Sequence, residues 1–318
     1  MPESDELQAA QSLVAAGAKD RALPILWKLY VSKNPAITLD AGLCLLAALN
    51  QQTENEKLLE VTEGTIKVAD SLGKADIRAY LLANKAQLLF IKLSDLTYQQ
   101  HNLNLAAKAF KWIDFSLESD KAEFAQLAAE RKRLKEEIAS LEAGALAAIH
   151  SNPNRYLRGR VLMSLGEIAF SRFLDDQLDL SIGGTFRSKI MNIHFVRRWH
   201  LDRFIGFTRN GRRQLRKSQK SSFAYFGQAI QEFRTNGYKT DLAHALYGLA
   251  VKLAITFRFR KARHYLVQAT QLAEAENANA LIVQIGELEK RMKDKYRHPR
   301  NYVEELGLDL PRALRGPR

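Results

Sequence analysis

The sequence contains one cysteine and few prolines, and each scarcity is informative. Cys44 stands alone among 318 residues, so an internal disulfide is impossible and a disulfide-rich secreted scaffold is excluded. Proline is absent over Ala36–Asn152 and again over Asn154–His298. Because proline interrupts helices, intervals of that length without it, rich in Ala and Leu, indicate a helical chain.

Long apolar segments are missing as well. The longest run, Ala41–Leu49, is far shorter than the roughly 20 residues that a membrane-spanning helix needs. The acidic start of the chain, Met1–Glu6, lacks the apolar core of a secretory signal. We therefore expect a cytoplasmic protein without a transmembrane segment, in which Cys44 is a reduced core residue.

Motifs that carry catalysis or metal binding are not found in the sequence. None of the seven histidines stands three or four residues from a cysteine or a second histidine, the spacing of helical metal sites. Gly-rich phosphate loops and a G-x-S-x-G turn are missing too. Adjacent acids such as Asp175 and Asp176 point apart on a helix, and we interpret them as solvated charges or helix-end charges rather than as an acid–base pair. The sequence predicts a non-enzymatic protein without cofactor or metal, although an active site built from distant helices would leave no such motif.

Positive charge is concentrated in the second half of the chain. Residues 1–150 carry 17 Lys and Arg against 20 Asp and Glu, whereas residues 151–318 carry 31 against 15. Most of the excess lies in Arg187–Lys220, with 11 basic residues and one acid, Asp202. A run of that density repels itself unless an anionic partner screens it. A solvated helix face would produce the same pattern.

Apolar residues recur at helical spacing, and alternating strand patterns are missing. One set predicts a helix over about Lys121–Ile149, with Arg131 at a position expected to be apolar. Other sets pair small and large residues in the way that antiparallel helical hairpins require. The clearest pair consists of Leu246, Leu249, Ala250 and Leu253, followed by Phe259, Ala262, Leu266 and Ala269.

Similar hairpin patterns occur elsewhere in the chain. One near the N-terminus consists of Ala10, Leu13, Gly17, Ala22, Leu26 and Leu29, and another of Leu82, Ala86, Leu89, Ala106, Phe110 and Ile113. The second of these predicts a long turn around Asp95–Asn104. A shift of 40 residues aligns Phe226 and Ala229 with the second helix of the clearest pair, and Asn236-Gly237 predicts a helix-ending turn.

This pattern resembles the tetratricopeptide repeat (TPR), a helical hairpin with a large residue, Leu-Gly, Tyr, Ala and Phe at such offsets. Leu replaces the aromatic residues at positions 246, 253 and 266, and Glu274 stands near the place of the closing Pro, as in a degenerate repeat. The resemblance implies an all-α, TPR-like α-solenoid, a class that binds other molecules more often than it catalyses reactions.

Four segments follow from the hairpin patterns and the charge. Residues 1–150 form an N-terminal TPR-like segment, and residues 151–220 form a basic, less regular helical segment. Residues 221–298 form C-terminal TPR-like hairpins, and residues 299–318 form an extended tail that contains Pro299, Pro311 and Pro317. The boundary near Ser151–Asn154 separates either two domains or two parts of one solenoid.

The basic segment is the candidate binding site. We expect a helix over about Ser188–Ile205, then a turn at the breakers Gly206 and Gly211, and then a new helix. Arg outnumbers Lys eight to three in Arg187–Lys220, and its guanidinium group offers paired donors that match carboxylate or phosphate oxygens. The candidate residues are Arg197, Arg198, Trp199, Arg203, Arg209, Arg212, Arg213, Arg216, Lys217 and Lys220.

Several partners would suit such a segment. The leading prediction is an adaptor or scaffold that binds an acidic protein or peptide through the helical-repeat surface. The alternative is an RNA or other nucleic-acid partner at residues 187–220, with Trp199 stacking on a base. An anionic membrane surface and a small regulatory ligand rank below these two. The sequence leaves the partner's identity, the biological process and the oligomeric state open.

Overall fold

The computed structural model describes residues 2–49, 54–109, 118–150, 154–183, 209–256 and 258–297. Within these ranges the chain forms eleven helices and no strand, which confirms the all-α prediction. The helices are α1 (Glu3–Ala15), α2 (Lys19–Tyr30), α3 (Pro35–Ala48), α4 (Asn55–Ser71), α5 (Ala75–Ala109), α6 (Glu118–His150), α7 (Arg155–Gly183), α8 (Arg209–Thr235), α9 (Lys239–Ile255), α10 (Phe259–Ala275) and α11 (Asn279–Arg297).

The chain divides into two compact units, an N-terminal unit of Met1–Ile168 and a C-terminal unit of Ala169–Arg318. In the N-terminal unit, α1 packs on α2 and α3. The sequential pairs from α2 to α6 also pack: α2 on α3, α3 on α4, α4 on α5 and α5 on α6. In the C-terminal unit, α9 packs on α8, α10 and α11, and α10 packs on α11. Helices that follow each other in sequence are therefore neighbours within each unit.

The turns between several helices share one backbone geometry. Gly17, Gly73, Gly237 and Asn277 all have positive φ, between 53° and 78°. After each of them, the next N–H donates to the carbonyl five residues earlier, as from Tyr238 N to Phe233 O at 3.0 Å. This is the helix-ending geometry that Gly and Asn tolerate best, because a positive φ crowds the Cβ of other residues. The turn predicted at Asn236-Gly237 is confirmed.

Most described residues of the predicted hairpins lie in the hydrophobic cores. Leu246, Leu249, Ala250 and Leu253 of α9 are buried, as are Ala262, Leu266 and Ala269 of α10 and Phe226 and Ala229 of α8. In the N-terminal unit the buried set includes Ala10, Ala22, Leu26 and Leu29. The expected helix over about Lys121–Ile149 is α6, with Leu134 and Ile138 buried.

Two predicted interruptions are wrong. The long turn expected around Asp95–Asn104 does not form, because α5 runs unbroken from Ala75 to Ala109 and contains neither Gly nor Pro. Gly211 does not break the chain either, since it lies inside α8. A single helical Gly costs only about 1 kcal/mol, less than the packing of α8 contributes. Phe110 and Ile113 lie outside the described residues.

Arg131, which occupies an expected apolar position of α6, is buried with only 8% of its surface exposed. Its Nη1 donates to Gln100 Oε1 of α5, so a polar contact replaces the apolar one at this level of the α5–α6 pair. A buried cation is tolerated where hydrogen bonds replace its hydration. C-terminal to Arg131, the apolar stripe of α6 continues with the buried residues Leu134, Ile138, Ala145 and Ile149.

Tyr30 lies where α2, α3 and α4 meet. Its hydroxyl donates to the Val61 carbonyl at 3.0 Å, and the close approach of α4 depends on Gly64, since a Cβ at this position would collide with Tyr30 Oη. Burial raises the pKa of the Tyr30 hydroxyl above its usual value. The absence of a side chain on Gly64 therefore leaves room for the Tyr30 hydroxyl.

Gly64→Ala is expected to lower the free energy of unfolding by about 1–3 kcal/mol, since the extra methyl overpacks this crossing. In a Tyr30→Phe background the destabilisation should be much smaller. The nearest ring atom is then Cζ, at 3.3 Å, and Ala gains about 1 kcal/mol of helix propensity over Gly. Urea unfolding of the four chains of this double-mutant cycle measures both values. Equal destabilisation in the two backgrounds would contradict the role assigned to the hydroxyl.

Candidate anion-binding surface

The candidate residues from the sequence fall into two groups. Six of them belong to α8: Arg209, Arg212, Arg213, Arg216, Lys217 and Lys220. Lys217 and Lys220 have exposed side chains. Arg197, Arg198, Trp199 and Arg203, together with the helix predicted over Ser188–Ile205, lie outside the described residues. The new helix expected in this segment is α8, although it begins at Arg209, before Gly211.

The sequence pattern of α8 explains why these lysines face outward. Its buried residues recur every three or four positions, so they form one stripe along the helix. They are Ser222, Phe226, Ala229, Ile230 and Phe233. Lys217 and Lys220 stand off this stripe. Packing of the stripe thus fixes the side of α8 on which the lysines are presented.

A second group of cations was not predicted. Arg258, Arg260, Lys261 and Arg263 are all exposed, and they occupy the α9–α10 turn and the first turns of α10. A sequence signal for them exists, because no Asp or Glu occurs between Asp241 and Glu274. This signal is weaker than that of Arg187–Lys220, because the basic residues here are fewer and are mixed with buried apolar residues.

One member of this second group, Arg258, contacts α8. Arg258 Nη2 donates to Gln219 Oε1 at 3.3 Å, and the guanidinium carbon lies 5.2 Å from the centroid of the Phe223 ring. Both partners belong to α8, on either side of Lys220. We call the combined set the basic surface; it consists of Lys217, Lys220, Arg258, Arg260, Lys261 and Arg263.

Most cations of the basic surface have no acidic partner within the described ranges. No ion pair joins Lys217, Lys220, Arg260, Lys261 or Arg263 to any Asp or Glu that the structure describes. Several cations of the N-terminal unit are paired instead: Lys28 Nζ lies 2.8 Å from Glu6 Oε2, and Lys92 Nζ lies 3.1 Å from Glu130 Oε1. The positive potential of the basic surface is therefore left for an external anion to neutralise.

Lys85 shows what a cation gains from neighbouring acids in this fold. Its ammonium group lies 3.0 Å from Glu63 Oε1 and 3.1 Å from Glu137 Oε1. Burial alone would lower the pKa of Lys85, but the hydrogen bonds that its ammonium group donates to the two carboxylates, together with their charges, outweigh burial and raise the pKa. The charged form is thus favoured where carboxylates approach a lysine on two sides.

Beneath the basic surface, polar groups lie inside the C-terminal unit. Lys252 is 9% exposed, and its ammonium nitrogen lies 5.6 Å from the Phe170 ring centroid and 5.8 Å from that of Phe226, within the range of cation–π attraction. Asp175 and Asp176 are buried on α7, so their interpretation as solvated charges is wrong. Ser218 Oγ donates to Asp176 Oδ2 at 3.4 Å, which helps to replace lost hydration.

The described part of the chain holds no candidate metal site and no membrane-spanning helix. There, no group of three or more His, Cys, Asp or Glu residues is arranged to hold a metal ion. In the same ranges, no helix combines the length and the apolar character needed to cross a membrane. Cys44 is half-buried, and burial raises the pKa of its thiol, which disfavours the reactive thiolate.

No protein-family model matches the chain, and no curated protein matches it. Its class and function are therefore inferred from its own residues.

Proposed function

We propose that the chain is a non-enzymatic adaptor or scaffold that holds an acidic protein or peptide on the basic surface. The observation that carries this proposal is the set of exposed cations on α8 and α10 without acidic partners among the described residues. Like charges held close together raise the energy of the free protein, and an anionic partner lowers it. Binding therefore gains from electrostatic relief as well as from new contacts.

TPR-like repeats are part of the proposal. The recurring turn geometry supports them. The turns at Gly237 and Asn277 lie 40 residues apart, which is the shift that also aligns the apolar residues of α8 and α10. Packing supports them too, because α9 contacts both α10 and α11 in the way that α1 contacts both α2 and α3. A stack of such hairpins presents a broad surface for a partner and has an adaptor's typical role.

A nucleic acid is the second candidate partner. Arg209–Lys220 holds six cations and no acid, and about 1.5 Å of rise per residue makes this part of α8 roughly 17 Å long. That length would run beside several phosphates of a single strand. Such binding would weaken steeply with salt, because each neutralised phosphate releases counterions.

Fluorescence anisotropy with two labelled probes distinguishes the candidates. An octaglutamate peptide and a uridine octanucleotide would each be titrated with the full chain at low and at physiological salt. At physiological salt we expect the chain to bind the peptide at least about tenfold more tightly than the oligonucleotide, because a phosphate-dominated complex weakens steeply as salt rises. Tighter binding of the oligonucleotide would replace the proposal with the nucleic-acid candidate. Binding of neither probe would refute both.

A further inference from the structure

Arg258 differs from the other cations of the basic surface because two neighbours hold its side chain. Gln219 Oε1 accepts a hydrogen bond from Nη2 at 3.3 Å, and the guanidinium carbon lies 5.2 Å from the centroid of the Phe223 ring. The residue is nevertheless exposed. A guanidinium carries five N–H donors, and Gln219 accepts only one of them, so donors remain for an incoming group.

A guanidinium held in place is suited to recognition. It pairs with a carboxylate through two parallel hydrogen bonds, and a side chain that is already ordered loses less conformational entropy on binding. Lys220 follows Gln219 in the sequence, and Lys261 lies one helical turn after Arg258. Both lysines are exposed and have no described ion pair. The two lysines add positive charge, whereas the ordered guanidinium of Arg258 also fixes the direction in which its N–H groups donate.

We infer that Arg258 anchors the partner by pairing with a carboxylate of an acidic peptide segment. This inference rests on the proposed function and assigns the anchor to the α9–α10 turn, outside Arg187–Lys220. A carboxylate suits the site better than a stacked nucleobase does, because the guanidinium already lies over the Phe223 ring. The donors that Arg258 offers lie in its plane and match the two oxygens of a carboxylate.

Arg258→Lys tests the anchor, since it keeps the charge and removes both the forked donors and the planar group. Affinity for the octaglutamate peptide should fall at least about tenfold, because one ammonium group does not reproduce a bidentate pair. The matched control is Arg234→Lys, an exposed arginine near the C-terminal end of α8, which should leave affinity unchanged. Gln219→Ala frees the guanidinium from one neighbour and should weaken binding about threefold.

The outcomes separate the anchor from the proposed function. If the unsubstituted chain binds the peptide and Arg258→Lys binds it equally well, the anchor is refuted and the adaptor proposal stands. If the unsubstituted chain does not bind the peptide, both are refuted, and tight binding of the uridine octanucleotide would then identify a nucleic-acid surface. Thermal unfolding of each variant checks that it is folded. If Arg258→Lys does not fold, Gln219→Ala decides the question: unchanged affinity for the peptide in that variant would refute the anchor.

Discussion

Reversing Lys217, Lys220, Arg260 and Lys261 to Glu should abolish binding of the octaglutamate peptide, with a loss of at least about a hundredfold in affinity. The substitutions turn attraction into repulsion at four exposed positions. None of the four has an ion pair with an acid in the described ranges, so the reversal breaks no internal salt bridge there. The fold should therefore survive, and anisotropy titration reports the loss directly.

The control for this reversal changes net charge by the same amount at a different place. Arg21, Lys33, Lys67 and Lys74 are exposed in the N-terminal unit without a described ion pair, and their replacement by Glu should reduce peptide affinity only slightly. The difference between the two quadruple variants isolates the basic surface from the overall charge of the chain, formally +13. Equal losses in both would show that net charge alone attracts the peptide.

Phe226→Ala should lower the free energy of unfolding by about 3–5 kcal/mol, the usual cost of emptying a fully buried aromatic site. Phe226 has no exposed surface, and its ring also lies 5.8 Å from the Lys252 ammonium. The substitution thus leaves a cavity and removes one of the two rings near a buried cation. Urea unfolding measures the effect.

Gln228→Ala is the matched control, because Gln228 is exposed on the same helix and its replacement should change stability by no more than about 0.5 kcal/mol. A loss below about 1 kcal/mol for Phe226→Ala would contradict the position of this ring in the core of the C-terminal unit. It would also weaken the assignment of Lys217 and Lys220 to an exposed side, since the packing of Phe226 orients α8.

Local signals in the sequence predicted much of the fold. The turn at Asn236-Gly237 follows from the conformational freedom of Gly, and α6 follows from its apolar spacing. The failures arose where local signals compete with longer-range effects. The apolar pattern predicts a hairpin with a turn around Asp95–Asn104. The same residues instead continue as one helix, because α5 contains neither Gly nor Pro. Arg131 looked like an interruption because its partner, Gln100, is on another helix.

The candidate site was predictable in part for the same reason. Charge density alone located Lys217 and Lys220, because a run of like charges is visible in sequence. Arg258 could not be placed beside them in this way, since its contact with Gln219 joins residues 39 positions apart. The burial of Asp175 and Asp176 also depends on the packing of the C-terminal unit, and adjacent acids give no local sign of it.

Carbodiimide coupling of the octaglutamate peptide tests the proposal most directly. The reagent joins peptide carboxylates to lysine amines within contact distance, and mass spectrometry of the digested chain identifies the coupled residues. If the peptide binds on the basic surface, coupling occurs at Lys217, Lys220 and Lys261 and is lost at high salt. Equal coupling at Lys33 and Lys67 of the N-terminal unit, or none on α8 and α10, would contradict it.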